Sequence, residues 1–308
     1  MKLFIKRFSI FCFALLGIIL ILFLGPLTPR MKQSYFYGIN HKQKLLQDTP
    51  APRIIFIGGS NLTFGINSRM IKDSLGLNPI NTGIQANVGL EYMLDSSIDN
   101  IRKSDIVVVV PEYSQLHGSL AYGEDPLLHA IMSGNRNDLL KLSYHQWAAI
   151  LPYIPKYAFS KLSVYEYLDN PNKETVYRAD AFNEYGDILE RWPGDFKTVS
   201  PYTVREEKFN TYILKKLIYF RRQVEEKGAS LYIGFPAYQK KSFDIIEDII
   251  REEYDSLRNN NFTLIGKPVD YIVDDSLLYD TPYHLTTDGV EWRTGLFLRQ
   301  FSEYLSKN

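Results

Sequence analysis

Arg53-Ile54-Ile55-Phe56-Ile57-Gly58-Gly59-Ser60 is the stretch that decides the fold. Four apolar residues, Ile54 to Ile57, stop abruptly at two glycines, which reads as a short buried parallel strand entering a tight turn. Beyond the turn, Ile66, Met70, Ile71 and Leu75 are spaced for one face of a helix over residues 67–75. The unit is strand, glycine turn, serine, helix. In an open α/β sheet the ligand groove lies outside the carboxyl ends of the strands. A serine hydroxyl placed there, beside helix-end amides, is where a nucleophile is expected. Serine is also a preferred helix N-cap, so at this point Ser60 is either nucleophile or cap.

The same alternation continues outward. Asn78 to Thr82 reads as a second strand, Gly89 to Ile101 as an amphipathic helix, and the run Asp105 to Val110 as a third strand stopped by Pro111. Residues 115–200 break the rhythm and read as an insertion, with a helical stretch near Asp138 to Leu168 and a turn at Asp169-Asn170-Pro171-Asn172. Its segment Phe182 to Asp187 is polar and aromatic, read either as part of a substrate groove or as a packed surface loop. A helix over Glu206 to Lys227, a strand over Ser230 to Phe235, a helix over Phe243 to Leu257, a fifth strand at Phe262 to Ile265 and a last helix from Gly289 to Leu305 follow. Strands separated by helices predict a mostly parallel five-stranded sheet covered on both faces, an α/β fold.

Ahead of this body, 22 residues between Arg7 and Arg30 carry no charge and are dominated by Phe, Leu and Ile. That length spans a hydrocarbon core of about 30 Å. The following Gly25-Pro26-Leu27-Thr28-Pro29 offers no small-residue cleavage site, so the expectation is an uncleaved anchor over residues 1–30 and a linker over 31–52 with a short helix near His41 to Leu46. Lys2, Lys6 and Arg7 before the span favour a cytoplasmic N-terminus and an extracytoplasmic body at the cell membrane. The net charge is zero, but the five basic residues of 1–32 leave 30 basic against 35 acidic residues in the body. A net −5 surface argues against nucleic-acid binding, which needs clustered Lys and Arg. The single cysteine, Cys12, lies inside the apolar span, so the body has no disulfide and no Cys-based metal site. No cofactor or metal is expected.

The chemistry-bearing residues sit at the two ends of the body. Of five histidines, His284 alone lies in a loop that should follow the sheet, within Asp280-Thr281-Pro282-Tyr283-His284-Leu285. Asp280, four residues earlier, is suited to fix the tautomer of that imidazole and stabilise its charged form. The histidines show no ligand spacing with one another, and the glycine turn matches neither G-x-x-x-x-G-K-[ST] nor G-x-G-x-x-G, which argues against a nucleotide site.

With these motifs in view, the chain resembles the SGNH (GDSL-like) hydrolase superfamily, and within it the membrane-anchored bacterial proteins associated with acylation of cell-surface polymers. The resemblance covers about residues 53–115 and 205–305. It implies a flavodoxin-like three-layer α/β/α sandwich over 53–308. Gly58-Gly59-Ser60 stands for the family's G-D-S block and implies Ser60 as nucleophile with its amide in the oxyanion hole. Gly83 in N-T-G-I-Q implies a second oxyanion donor. The terminal D-x-x-H block implies His284 as base; the spacing to Asp280 is one residue longer here. The family's third block brings an asparagine into the hole, whereas Val110 is followed by Pro111-Glu112-Tyr113. Tyr113, Asn61 or Asn87 are the substitutes within reach in sequence, and Glu112 is read as binding substrate hydroxyls or ordering the insertion. The implied activity is a serine esterase or O-acyltransferase on acylated polysaccharide or another ester, with a membrane-bound acyltransferase as a possible partner. The rival expectation is a non-catalytic binding or scaffold protein of the same fold in surface-polymer assembly.

Overall fold

The computed structural model describes residues 1–168, 175–191, 198–202 and 208–307. The turn at Asp169-Asn170-Pro171-Asn172 and the expected helix start at Glu206 lie outside them. At the N-terminus, helix α1 (Lys2–Leu24) has the length and mean hydropathy, 2.8, to cross a membrane, and 6% of its apolar window is buried. Among the described residues it is the one helix that does so. Its outward-facing Phe4, Phe8, Phe11 and Ile21 are the side chains that lipid rather than water would solvate. Two short helices follow, α2 (Pro29–Gln33) and α3 (Ile39–Asp48). The stretch read as a linker is packed into the body: Met31, Tyr35, Ile39 and Leu46 all join the main core. Buried Lys42 donates to the carbonyls of Asn81 (3.0 Å) and Gly186 (2.7 Å).

The sheet is parallel. Strands β1 (Arg53–Gly58), β2 (Asn78–Asn81), β3 (Ile106–Val110) and β4 (Ser230–Ile233) lie in the order β2-β1-β3-β4. In register, Phe56 faces Asn81 on one side and Val108 on the other. Four strands form rather than the five expected. Phe262 to Ile265 reaches the sheet edge but makes only one bridge, Leu264 beside Ile233, held by two hydrogen bonds of 2.9 Å. Gly266 turns away with φ +73° directly afterwards, so the ladder cannot extend. A separate pair, β5 (Tyr238–Gln239) with β6 (Ile272–Val273), was not legible as strand.

Both faces of the sheet are covered, as the continuous apolar runs require. Ile55, Ile57, Val107, Val109, Leu231 and Ile233 pack into one core. Ile54, Phe56, Val108, Val110 and Tyr232 pack into the other. Between β1 and β2 come α4 (Ser60–Thr63) and α5 (Ser68–Leu75), and α6 (Leu90–Ile98) follows β2. Asn67 caps α5, its Oδ1 accepting from the amides of Arg69 and Met70. The cap role that serine chemistry allowed for Ser60 thus falls to Asn67 instead.

The insertion folds as α7 (Asp125–Ser133), α8 (Tyr144–Ile150) and α9 (Ile154–Ser160), joined by 3-10 turns. One long helix is excluded there because Pro152 and Pro155 each restart the chain at a helical first turn. Helix α10 (Thr211–Glu226) is capped by Asn210. The helix expected over Phe243 to Leu257 is two pieces, α11 (Lys240–Ile245) and α12 (Glu247–Asn259), because Ile246 leaves the helical region at φ −116°, ψ 23°. Helix α13 (Thr287–Lys307) closes the fold.

At the start of β1, Arg53 is fully buried and donates to Asp105, with Nε to Oδ1 at 2.9 Å, and to the carbonyls of Leu46 and Asn100. Removing one member of such a pair strands a charge in the interior, which costs about 3–5 kcal/mol. Asp105→Ala is therefore expected to lower the urea unfolding free energy by about that amount, whereas Asp99→Ala, in an exposed ion pair with Lys141, should change it by less than about 1 kcal/mol.

Candidate active site

The strand order reverses between β1 and β3, and the crevice at such a switch point is the expected ligand position. Both walls of that crevice are set by sequence. A Cβ on Gly58 would lie 2.4 Å from the Val110 carbonyl oxygen, so only glycine lets β1 end this close to β3. One residue on, a Cβ on Gly59 would lie 2.6 Å from Glu112 Oε1 and 3.0 Å from the Ala86 amide nitrogen. Ser60 thereby arrives at the start of α4 facing Glu112, which follows β3.

A cavity of about 350 Å³ opens here. Ser60 and His284 both line it, together with Glu112, Tyr35, Tyr177 and Tyr202. The imidazole is held from three sides. Its Nδ1 lies 2.7 Å from Asp280 Oδ1, and both side chains are buried. The Tyr177 hydroxyl donates to the same carboxylate and stands 3.2 Å from Nδ1. The ring stacks on Phe64 at 4.4 Å between centroids. The loop carrying it is fixed by the Leu285 amide donating to the Phe64 carbonyl (3.2 Å) and the Tyr279 amide donating to the His284 carbonyl (2.9 Å). The longer spacing between Asp280 and His284 is therefore compatible with direct contact, because a turn rather than a helix separates them.

Tyr177 escaped notice in the sequence. It lies 107 positions from His284, in a stretch with no periodic pattern, and nothing local marks it. Burial, reinforced by Asp280, holds its phenol proton on well above the usual range. Tyr35, from the stretch expected as linker, closes the other wall, its hydroxyl donating to the Ile84 carbonyl at 2.5 Å.

Ser60 Oγ donates to Glu112 Oε1 at 3.2 Å, rather than to His284. The same oxygen accepts the Asn61 amide at 3.1 Å. A carboxyl oxygen thus rests where helix-end amides would otherwise meet a ligand's negative charge. Burial raises the Glu112 pKa above its ordinary value, and the positive potential of His284 works against that shift.

Three other candidates sit elsewhere. The Gly83 amide donates to Asn81 Oδ1 at 3.0 Å, so the oxyanion donor implied for it is engaged inside its own turn. Asn81 is anchored there by its amide group donating to the Leu62 carbonyl and to Asp187. The Asn61 side chain is buried and donates to the Val110 carbonyl at 3.2 Å, bracing α4 against β3 instead of facing the cavity. Tyr113 packs edge-on against Tyr238 and lines a neighbouring chamber rather than the Ser60 cavity. The segment Phe182 to Asp187 is packed: Phe182 stacks on Tyr35, and buried Asp187 accepts from the Ser68 amide and hydroxyl at 2.8 Å each. Among the described residues no group of three His, Cys, Asp or Glu side chains is placed to hold a metal ion.

No protein-family model matches the chain, and no curated protein sequence matches it. The geometry is that of a buried imidazole–carboxylate pair, a hydroxyl and a buried carboxyl sharing one cavity.

The raised Glu112 pKa has a stability consequence. Below its ordinary value of 4.5 both folded and unfolded chains hold the proton; above it the unfolded chain releases the proton first. Folding stability from this group is therefore full below that pH and is lost as pH rises through the higher folded value. The melting temperature of Glu112→Gln, which lacks this titration, should gain on wild type as pH is raised from 5 towards 8. A difference that stays flat would place the carboxyl in a water-like environment.

Proposed function

We propose that the chain is a membrane-anchored serine esterase or O-acyltransferase of SGNH type, acting on acylated cell-surface or exported glycans. The observation that carries this reading is the convergence of Ser60 and the His284–Asp280 pair on one cavity from opposite ends of the body. Strand order β2-β1-β3-β4, with Leu264 bridged beside β4, supports a flavodoxin-like three-layer sandwich under it. The apolar α1 supports a single-pass anchor in the cell membrane with the body outside the cytoplasm, and a membrane-bound acyltransferase as the partner that hands over acyl groups.

In this mechanism the Ser60 hydroxyl turns from Glu112 towards His284, whose Nε2 takes its proton as Oγ attacks the ester carbonyl carbon. Asp280 keeps the proton on Nδ1 and stabilises the imidazolium that forms. Tyr177 holds Asp280 in place by donating to it. The tetrahedral intermediate collapses, the C–O bond to the alcohol breaks, and His284 returns the proton to the departing oxygen. Water or a sugar hydroxyl then attacks the acyl-serine by the reverse of the same steps. Glu112 governs how well the intermediate's charge is stabilised. Its ionised form would repel the oxyanion; its neutral form, a weaker acceptor, would yield the amides of the α4 start to the oxyanion once the carboxyl swings off them.

A second reading, a non-catalytic binding or scaffold protein of the same fold, is favoured by one observation: Glu112 Oε1 already occupies the amides beside Ser60. The two readings separate on labelling. Full-length protein in detergent should react with a fluorophosphonate at Ser60 and release acetate from an aryl acetate. Ser60→Ala should abolish both, and His284→Asn should slow them by ~10²–10⁴-fold. Wild-type protein that neither labels nor turns over between pH 5 and 9 would establish the binding reading. Tyr177→Phe removes one hydrogen bond from the orienting carboxylate and should cost about two- to tenfold in rate. Glu112→Gln should raise the labelling rate about tenfold or more at high pH, where the wild-type carboxyl ionises, since one donor in place of a repelling charge is worth ~10²–10³ in rate at most.

A further inference from the structure

The exposed large apolar side chains of the body are unevenly spread. Among the described residues beyond α1 they crowd into residues 140–168, whereas the others stand singly along the chain, as at Tyr219, Ile245 and Trp292. Within the crowded stretch, Phe159, Leu162, Val164, Tyr165 and Tyr167 are 40–67% exposed. Single exposed apolar residues need no explanation, but a run of them marks a contact surface. Both charges in this run are engaged by the chain itself. Lys161 is buried and donates to the carbonyls of Phe23 (3.2 Å) and Gly25 (2.9 Å), and the Glu166 carboxylate accepts from the Thr28 hydroxyl at 2.6 Å. What the run presents to its surroundings is therefore alkyl and phenol.

The same bonds fix the height of the run along α1. They tie residues 161 and 166 to the last carbonyls of the helix and to Thr28 just past it. Ile19, Leu22 and Phe23 belong with the core cluster that holds Tyr157 and Ala158 of α9. Contact between body and helix thus reaches about 7 Å back from the end of α1, at about 1.5 Å per residue. A hydrocarbon core takes about 20 residues; counted from Phe8, the first past Lys6-Arg7, they end near Leu27. With α1 across a bilayer, whatever packs on residues 19–28 meets the boundary between acyl chains and headgroups. Leu162 follows Lys161 directly, so its backbone lies within about 4 Å of that level. Tyrosine suits this layer, ring against acyl carbon and hydroxyl among headgroups. A soluble protein or a glycan would have to displace headgroups to reach the same surface.

We infer that residues 159–167 form a second, interfacial attachment to the membrane, with Phe159, Leu162, Val164, Tyr165 and Tyr167 lying against lipid in the headgroup layer. This rests on the membrane-anchor part of the proposed function and is independent of the chemistry at Ser60. A single spanning helix sets the height of the body and leaves its tilt open. A helix with a lipid-facing run packed beside it sets both.

Depth-dependent quenching tests this in the full-length chain. Leu162→Cys and Tyr165→Cys are each made in a Cys12→Ser background, with Tyr219→Cys on α10 and Ile245→Cys on α11 as exposed controls. Each is labelled with a nitrobenzoxadiazole fluorophore and reconstituted into vesicles of phosphatidylcholine and phosphatidylglycerol, with the melting temperature checking that each variant folds. A nitroxide carried near the headgroup should quench labels at 162 and 165 at least about twofold more than labels at 219 and 245, as seating about 5–10 Å into the boundary implies. A nitroxide deep in the acyl chain should quench wild-type protein labelled at its native Cys12, near the middle of α1, which reports on the anchor separately. Equal quenching at all four positions overturns the inference, and a quenched Cys12 then leaves the anchor standing. A blue shift at 162 and 165 without quenching, as cover by a second copy or another protein would give, overturns it too. An unquenched Cys12 removes anchor and inference together.

Discussion

Everything at the switch point depends on one close approach, that of Gly58 to the Val110 carbonyl. Two adjacent parallel strands end there with no room for a side chain between them. The chain leaving β1 must therefore turn at once, and it turns into a helix whose first residue is Ser60. The chain leaving β3 must pass the same point, and it does so as Pro111-Glu112. The nearness of hydroxyl and carboxyl follows from strand packing before any chemistry is considered. His284 is brought in later, by the loop ahead of α13, and is fixed from outside the sheet by Asp280, Phe64 and Tyr177.

That construction places groups of opposite electrostatic preference in one small space. Burial disfavours charge on Glu112, while the imidazole across the cavity favours it. In water such an interaction would be weak; in a partly closed cavity it is several times stronger. The state of one carboxyl then decides whether the amides at the start of α4 face a negative oxygen or a neutral one. In the proposed mechanism the site would therefore be sensitive to pH through a residue that neither attacks nor transfers a proton.

How much of this was legible in the sequence follows from how each part is specified. The strands β1 and β3 were readable because both are buried on two faces, which forces continuous apolar runs such as Asp105 to Val110. The nearness of Ser60, His284 and Asp280 could be anticipated because each sits at a junction of such elements. The fifth strand was misread because Phe262 to Ile265 has strand composition, yet Gly266 ends its pairing after one bridge. In residues 31–52 the short helix expected near His41 to Leu46 is α3, but the packing of this stretch into the core was not legible, because Met31, Tyr35, Ile39 and Leu46 are too sparse to give a period. The engagement of Gly83 by Asn81 could not be read at all, since the competing acceptor is a side chain two residues away whose direction is set by Asp187.

The insertion joins the two halves of the functional proposal. It supplies Tyr177 to the imidazole–carboxylate pair, and it also grips the end of the apolar helix. The last carbonyls of an α-helix have no partner within it and carry partial negative charge. Arg136 donates to the carbonyls of Leu24 (2.8 Å) and Gly25 (3.1 Å), and Lys161 donates to those of Phe23 (3.2 Å) and Gly25 (2.9 Å). Burial, with Arg136 nearby, lowers the Lys161 pKa to about 8, so its grip is strongest below that pH. Phe23 packs edge-on against Tyr157 beside these bonds, and Thr28 donates to Glu166 just beyond them. A helix held by cations at its end and by an aromatic contact along its side is more restrained than a flexible tether. Under the proposed anchoring, the cavity would be carried at a set distance and angle from α1, as the proposed esterase or acyltransferase would need in order to meet its substrate or acyl donor at one height above a membrane surface.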